Sequence, residues 1–110
     1  MGRKLKTTSV DEITVDETGR LLVRPRLGRG EDFAGIYRAA MGVSWDSNIR
    51  SLMAPVPREW THFDWFRHMV AAVVQEYGIR LVIRDDTKWT VPDELRHQIQ
   101  DWYRDSNRSA

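Results

Sequence analysis

The chain contains no cysteine, which excludes a disulfide framework, a thiolate nucleophile and any cysteine-ligated zinc or iron–sulfur centre. A cytoplasmic location is the expectation that follows. No apolar run approaches the ~20 residues of a membrane span, and none of signal-peptide length follows the basic start Met1-Gly2-Arg3-Lys4-Leu5-Lys6. Myristoylation at Gly2 is discounted because the sixth position is Lys6 rather than Ser or Thr. Excess charge of one sign is also missing. A net charge of +1 is too small to hold phosphates by bulk electrostatics, so nucleic acid is a disfavoured partner and a membrane is not expected. Lysine is scarce, with 3 against 14 arginines.

What the chain does have is ordinary globular composition, 41% hydrophobic and 30% charged over 110 residues, which predicts one domain over 1–110. Residues 1–10 show no apolar periodicity and read as a flexible arm. Ile13-Thr14-Val15-Asp16, the turn residues Glu17-Thr18-Gly19-Arg20, and Leu21-Leu22-Val23-Arg24 make a hairpin that ends at Pro25. Residues 33–41 are compatible with either a short helix or a strand broken by Gly35. Val43-Ser44-Trp45, a turn at Asp46-Ser47-Asn48, and Ile49 to Ala54 form a second hairpin, closed by Pro55-Val56-Pro57.

Thr61 has the chemistry of an N-cap with Asp64 three positions on, so a helix runs from 61 to 77. Its apolar residues, Phe63, Phe66, Val70, Val73, Val74 and Tyr77, are widened by Trp65, Met69 and Ala72 beyond one packing face. Gly78 stops it, and Ile79 to Arg84 is a β-branched strand. Residues 85–89 read as a loop. Thr90 then caps a last helix over 92–104, with Leu95, Ile99, Trp102 and Tyr103 as its stripe and residues 105–110 as a frayed tail. The predicted fold is α+β: an antiparallel sheet of about four to five strands with two helices packed against it, helix 61–77 central.

No motif specifies an enzyme. His62 and His68 are six apart and face different ways on a helix, which leaves zinc without its usual helical pair; no metal or other cofactor is predicted. Asp64 and His68 share a face at i, i+4, although a surface ion pair accounts for the carboxylate more simply. His97 reads as solvated. Asp85 and Asp86 end a strand, but neighbours on an extended chain point opposite ways. Ser44, Ser47 and Ser51 lie in no nucleophile elbow, and Gly28-x-Gly30 lacks the rest of a phosphate loop. The arginines at 20, 24, 26 and 29 have no interleaved aromatics, and the acids Asp11, Glu12, Asp16 and Glu17 oppose them across the hairpin, so cross-strand pairing is the expected use.

Five tryptophans and 14 arginines are the compositional excess, and both residue types concentrate at the energetic centres of interfaces. Eleven aromatic rings exceed what so small a domain can seal inside, so some should line a groove, a pocket or a subunit contact. Trp45, Trp60, Trp65, Tyr37, Arg38 and Arg58 are the candidate binding or interface residues.

The chain also resembles a family of small proteins of unknown function carried in integron mobile gene cassettes. The resemblance rests on Gly19-Arg20-Leu21-Leu22-Val23-Arg24-Pro25, Tyr37-Arg38-Ala39-Ala40-Met41, Val43-Ser44-Trp45-Asp46, Pro57-Arg58-Glu59-Trp60 and Trp65-Phe66, and covers about residues 12 to 100. The N-terminal arm departs from a shorter start. For this chain the resemblance implies an α+β fold and homo-oligomer formation; it carries over no catalytic residue. The leading functional expectation is therefore a homo-oligomeric binding or adaptor module with a protein partner. The alternative is a small-molecule binding protein or enzyme with an aromatic pocket between sheet and helix, in which His68, Asp64 or Tyr37 supplies the polar groups.

Overall fold

Alternating burial builds the first hairpin. In the computed structural model, which describes residues 5–108, β1 (Lys6–Val15) pairs antiparallel with β2 (Leu21–Pro25). Leu21 and Val23 are buried while Leu22 and Arg24 face outward, as the two-residue period of a strand requires. The turn is held by Asp16, whose Oδ1 accepts from the Thr18 and Arg20 amides at 2.9 and 3.0 Å, with Gly19 at a φ of 91°. A second hairpin joins β3 (Ser44–Asp46) to β4 (Ser51–Met53), and Asp46 plays the corresponding part by accepting from the Asn48 amide at 2.9 Å.

The rest of the chain is α1 (His62–Tyr77), β5 (Ile79–Thr90) and α2 (Asp93–Arg108). The strand order is β3-β4-β2-β1-β5. The α+β class holds, and the sheet is antiparallel except at one edge, where β5 runs parallel to β1. Direction explains this. β4 is antiparallel to β2 and so runs the same way as β1; α1 carries the chain back along the sheet, and β5 must start again in the direction of β1.

Several boundaries differ from the sequence expectation. From Lys6 onward the supposed arm is strand: Lys6 to Val10 lie opposite Ile79 to Ile83, and Val10 is fully buried. A partner some seventy residues away creates that order, and no local periodicity announces it. Residues 1–4 lie outside the described residues. Residues 33–41 form neither a regular helix nor a strand but a single 3-10 turn at Ile36–Arg38, with Ile36 buried.

The loop expected at 85–89 is a bulge within β5. Between Val10 and Glu12 of β1 lies one residue, Asp11; between their partners Ile83 and Lys88 lie four. Thr87 stabilises the excursion from a buried position. Its hydroxyl donates to the Val10 carbonyl at 2.7 Å and accepts from the Arg84 amide at 2.9 Å. Pairing then resumes, so Thr90 is a strand residue rather than a helix cap, and the carbonyl of Pro92 accepts the Arg96 amide at the start of α2. That helix continues to Arg108, so residues 105–108 of the expected frayed tail are helical; 109 and 110 lie outside the described residues.

Helix α1 begins and ends as its residues dictate. Thr61 Oγ1 accepts from the Asp64 amide at 3.1 Å while Asp64 Oδ2 accepts from the Thr61 amide at 3.0 Å, a reciprocal cap, and Gly78 takes the left-handed conformation at φ 67°. Phe66, Met69, Ala72 and Val73 are its buried residues, in one apolar cluster with Ile13, Leu21, Val23 and Leu52 of the sheet. α2 packs on α1 through Trp102, edge-on to Phe63 and Phe66 at centroid distances of 6.4 and 5.9 Å.

Replacing Thr87 by Val keeps the shape but removes both hydrogen bonds of the bulge. The expected loss in urea denaturation is about 1–3 kcal/mol, with Thr87→Ser retaining most of the stability.

Candidate functional site

Pro55-Val56-Pro57 leaves β4 as a strap with little capacity to donate backbone hydrogen bonds, since two of its three residues lack an N–H. It delivers Arg58, Glu59 and Trp60 to the N-terminus of α1. Within that helix Trp65 and His68 are three apart and so lie on one face. The three rings meet: Trp60 to Trp65 at 4.8 Å between centroids, Trp60 to His68 at 5.2 Å, and Trp65 to His68 at 5.9 Å.

Opposite the helix, Gly42 lets the backbone approach the Trp65 ring. A Cβ there would stand 2.9 Å from Trp65 Cη2, and the residue's φ of 91° is one that side chains resist. Met41 and Gly42, the strap, Trp60, Trp65 and His68 enclose an open groove of about 780 Å³. Its lining is mostly apolar and accessible: Met41 is 90% exposed, Val56 50% and Trp60 44%.

Of the residues singled out from sequence, Trp60, Trp65 and Arg58 come together here, joined by His68. Tyr37 and Arg38 stand apart on the 3-10 turn, where the guanidinium lies 5.6 Å from the Tyr37 ring centroid and pairs with Glu76 at 3.1 Å. Trp45, on β3, packs edge-on against Phe33 at 5.7 Å; its buried Nε1 finds no acceptor among the described residues. Asp64 turns away from the groove into the helix cap. Its acceptance of the Thr61 amide, followed by the Arg67 guanidinium at 2.7 Å, holds its carboxyl below the ordinary carboxylate range. Met41, Gly42, Pro55, Val56 and Glu59 are the groove residues sequence reasoning missed. For Met41 and Val56 the only signal is position, at the end of an ambiguous segment and between two prolines.

The other candidates are placed as structural groups. Asp86 pairs with Arg26 at 3.0 Å, which lowers its pKa, and Arg26 also reaches Asp11 at 2.7 Å. Arg24 meets Glu12 across the hairpin at 3.2 Å, the cross-strand use expected of that stretch. His62 Nε2 lies 2.8 Å from the Gly19 carbonyl and ties α1 to the first turn. Among the described residues, no group of three or more His, Asp or Glu side chains is arranged to hold a metal ion. What the groove offers is contact chemistry: indole faces, an adaptable thioether and two rim charges.

The model of the Integron Cassette Protein Hfx_Cass5 family matches residues 8–87. The chain belongs to this family. A solved structure from the mobile metagenome of North West Arm Sewage Outfall, the Integron Cassette Protein Hfx_Cass5, is 42% identical to it; the match covers 91% of this chain and 96% of the other, with a TM-score of 0.43. No curated protein matches the chain. Integron cassette proteins of this family are of unknown function, and the groove's own chemistry carries the functional reading.

Gly42→Ala should both strain the backbone and push Trp65 out of place. A loss of more than about 1 kcal/mol in thermal or urea unfolding is expected, with a shift in tryptophan emission. The lowered carboxyls of Asp16, Asp64 and Asp86 set a pH dependence. A depressed folded pKa contributes stability above the ordinary carboxylate value, and that contribution is lost as pH falls through the depressed one. Melting temperature should therefore decline on acidification below about pH 5, and Asp64→Asn should flatten the decline.

Proposed function

We propose that the protein is a homo-oligomeric binding module whose contact surface is the Trp60 groove. One observation carries the reading: Met41, Val56 and Trp60, half of the large apolar side chains exposed among the described residues, converge on this single surface. Grouped apolar exposure of this kind is what a recessed interface leaves when its partner is removed. The rim supports a second copy as the partner. Arg58 and Glu59 are adjacent, opposite in charge and in no ion pair among the described residues. A two-fold contact would set each against the other's counterpart, twice. A cytoplasmic setting belongs to the same reading, supported by the absence of cysteine. No helix among the described residues is long and apolar enough to cross a membrane.

A small-molecule site is the second reading, favoured by the groove's volume and by the clustering of Trp60, Trp65 and His68. The two readings separate on concentration. Light scattering after gel filtration should give a mass above the 12.9 kDa of one chain, and the melting temperature should rise with protein concentration. Met41→Glu or Trp60→Ala should shift the population to monomer, with Trp60→Ala costing about 2 kcal/mol or more of association. A strict monomer at high concentration, with melting raised only by an added metabolite, would transfer the groove to the second reading.

A further inference from the structure

A second groove, of about 620 Å³, lies between the last part of β5 and α2, and its chemistry is unlike that of the first. Its side chains come from two elements: Arg84 and Trp89 from β5; Arg96, His97, Gln100 and Tyr103 from α2. Sequence expectation had dispersed them, with Trp89 in a loop and His97 in solvent. The bulge at residues 84–87 returns Trp89 to the sheet opposite Ile13, and the helix period places Arg96, Gln100 and Tyr103 on one face.

Two cations here form no close ion pair among the described residues, although the charge of Arg84 also helps lower the pKa of the nearby Asp86. Arg96 lies with its guanidinium carbon 5.3 Å from the Trp89 ring centroid, and Arg84 uses only its Nε, on the Ser9 hydroxyl at 3.3 Å. Arg104, by contrast, is paired with Asp101 at 2.6 Å. A guanidinium stacked on an indole still presents its N–H edge, and Arg84 keeps both terminal amino groups for an oxyanion. The half-buried Trp89 and Tyr103 add ring surface. Such interleaving of aromatics with unpaired arginines is what the Arg20–Arg29 stretch lacks.

We propose that this groove binds a nucleoside monophosphate, with the base on the Trp89–Arg96 stack and the phosphate on Arg84 and Arg96. Stacking on indole and guanidinium planes is how proteins hold bases whatever their identity, and the two arginine edges supply the anion's counter-charge. Asp85 and Asp101 also line the groove and are exposed; Asp101 is held by Arg104, also in the lining, while Asp85 accepts from ribose hydroxyls, so the local surplus of charge is low. A single phosphate suits that balance better than a triphosphate chain. This site shares no lining residue with the Trp60 groove, so it stands whether or not the protein self-associates.

Calorimetric titration of the full chain at low salt tests it, with AMP, adenosine, inorganic phosphate and a short single-stranded oligonucleotide as separate titrants. AMP should bind about tenfold or more tightly than adenosine or phosphate, and should weaken as salt rises. Arg96→Gln and Arg84→Gln change exposed side chains and should each weaken AMP by about tenfold, while the melting temperature stays near that of the parent. Failure of AMP to exceed inorganic phosphate, or wild-type affinity in both arginine variants, would overturn the proposal. Tighter binding of the oligonucleotide than of AMP would overturn the assignment to a free nucleotide and move the site to single-stranded nucleic acid.

Discussion

The burial of one face of α1 against the sheet is the interaction from which the rest of the molecule takes its positions. Phe66, Met69 and Val73 are each at most 1% exposed, and side chains of this size contribute roughly 1.5–3 kcal/mol apiece when removed from water. With that face fixed, the N-terminal turns of the helix must carry Trp65 and His68 toward the strap and the Met41–Gly42 turn. Its C-terminal end, turned by Gly78, must feed β5 into the sheet edge beside β1. The flank bearing Phe63 then receives Trp102 and holds α2. Both grooves are thus consequences of where one helix lies, although they share no residue.

Local rules were enough wherever an element is decided by its neighbours in sequence. Both hairpins, the Thr61 cap, the Gly78 stop and the stripe of α2 were legible because turn chemistry and helix capping act over three or four residues. Failures gathered where long-range pairing decides. Lys6-Thr7-Thr8-Ser9 has no apolar rhythm and becomes strand only because Ile79 to Ile83 lies alongside. Likewise, Asp85-Asp86-Thr87-Lys88 reads as a turn, yet the strand survives it because the Thr87 hydroxyl bonds to a carbonyl of β1. The candidate site followed the same division. Trp60, Trp65 and Arg58 lie close to one another in the chain and are singled out together, whereas Met41 joins them only through the fold and Val56, two residues before Arg58, is masked by the prolines on either side. Trp89 and Arg96 were separated by a misplaced loop.

The two grooves differ in what they leave unsatisfied, and that difference separates their readings. At the Trp60 surface the uncompensated quantity is apolar area, with one charge of each sign at its edge; the complement is another apolar surface carrying the same two charges in reverse. Between β5 and α2 the uncompensated quantity is cationic hydrogen-bonding capacity beside aromatic rings, and its complement is an anion with a flat body. Neither complement can serve in the other's place, since an apolar surface would bury Arg84 and Arg96 without a counter-charge and a phosphate at Met41 and Val56 would meet Arg58 with the acid Glu59 beside it.

The arginine excess itself has a partial explanation inside the subunit. Arg38, Arg67 and Arg96 each lie within 5.6 Å of an aromatic ring centroid, on Tyr37, Phe63 and Trp89 respectively. A planar guanidinium can stack on a ring and hydrogen-bond in its own plane at once, which the point charge of lysine cannot do. Arg38 and Arg67 use that second capacity within the chain, on Glu76 and Asp64. Arg96 has the stack without the in-plane acid among the described residues. The same side-chain chemistry that makes the other two arginines structural therefore leaves Arg96 with an in-plane bond to offer.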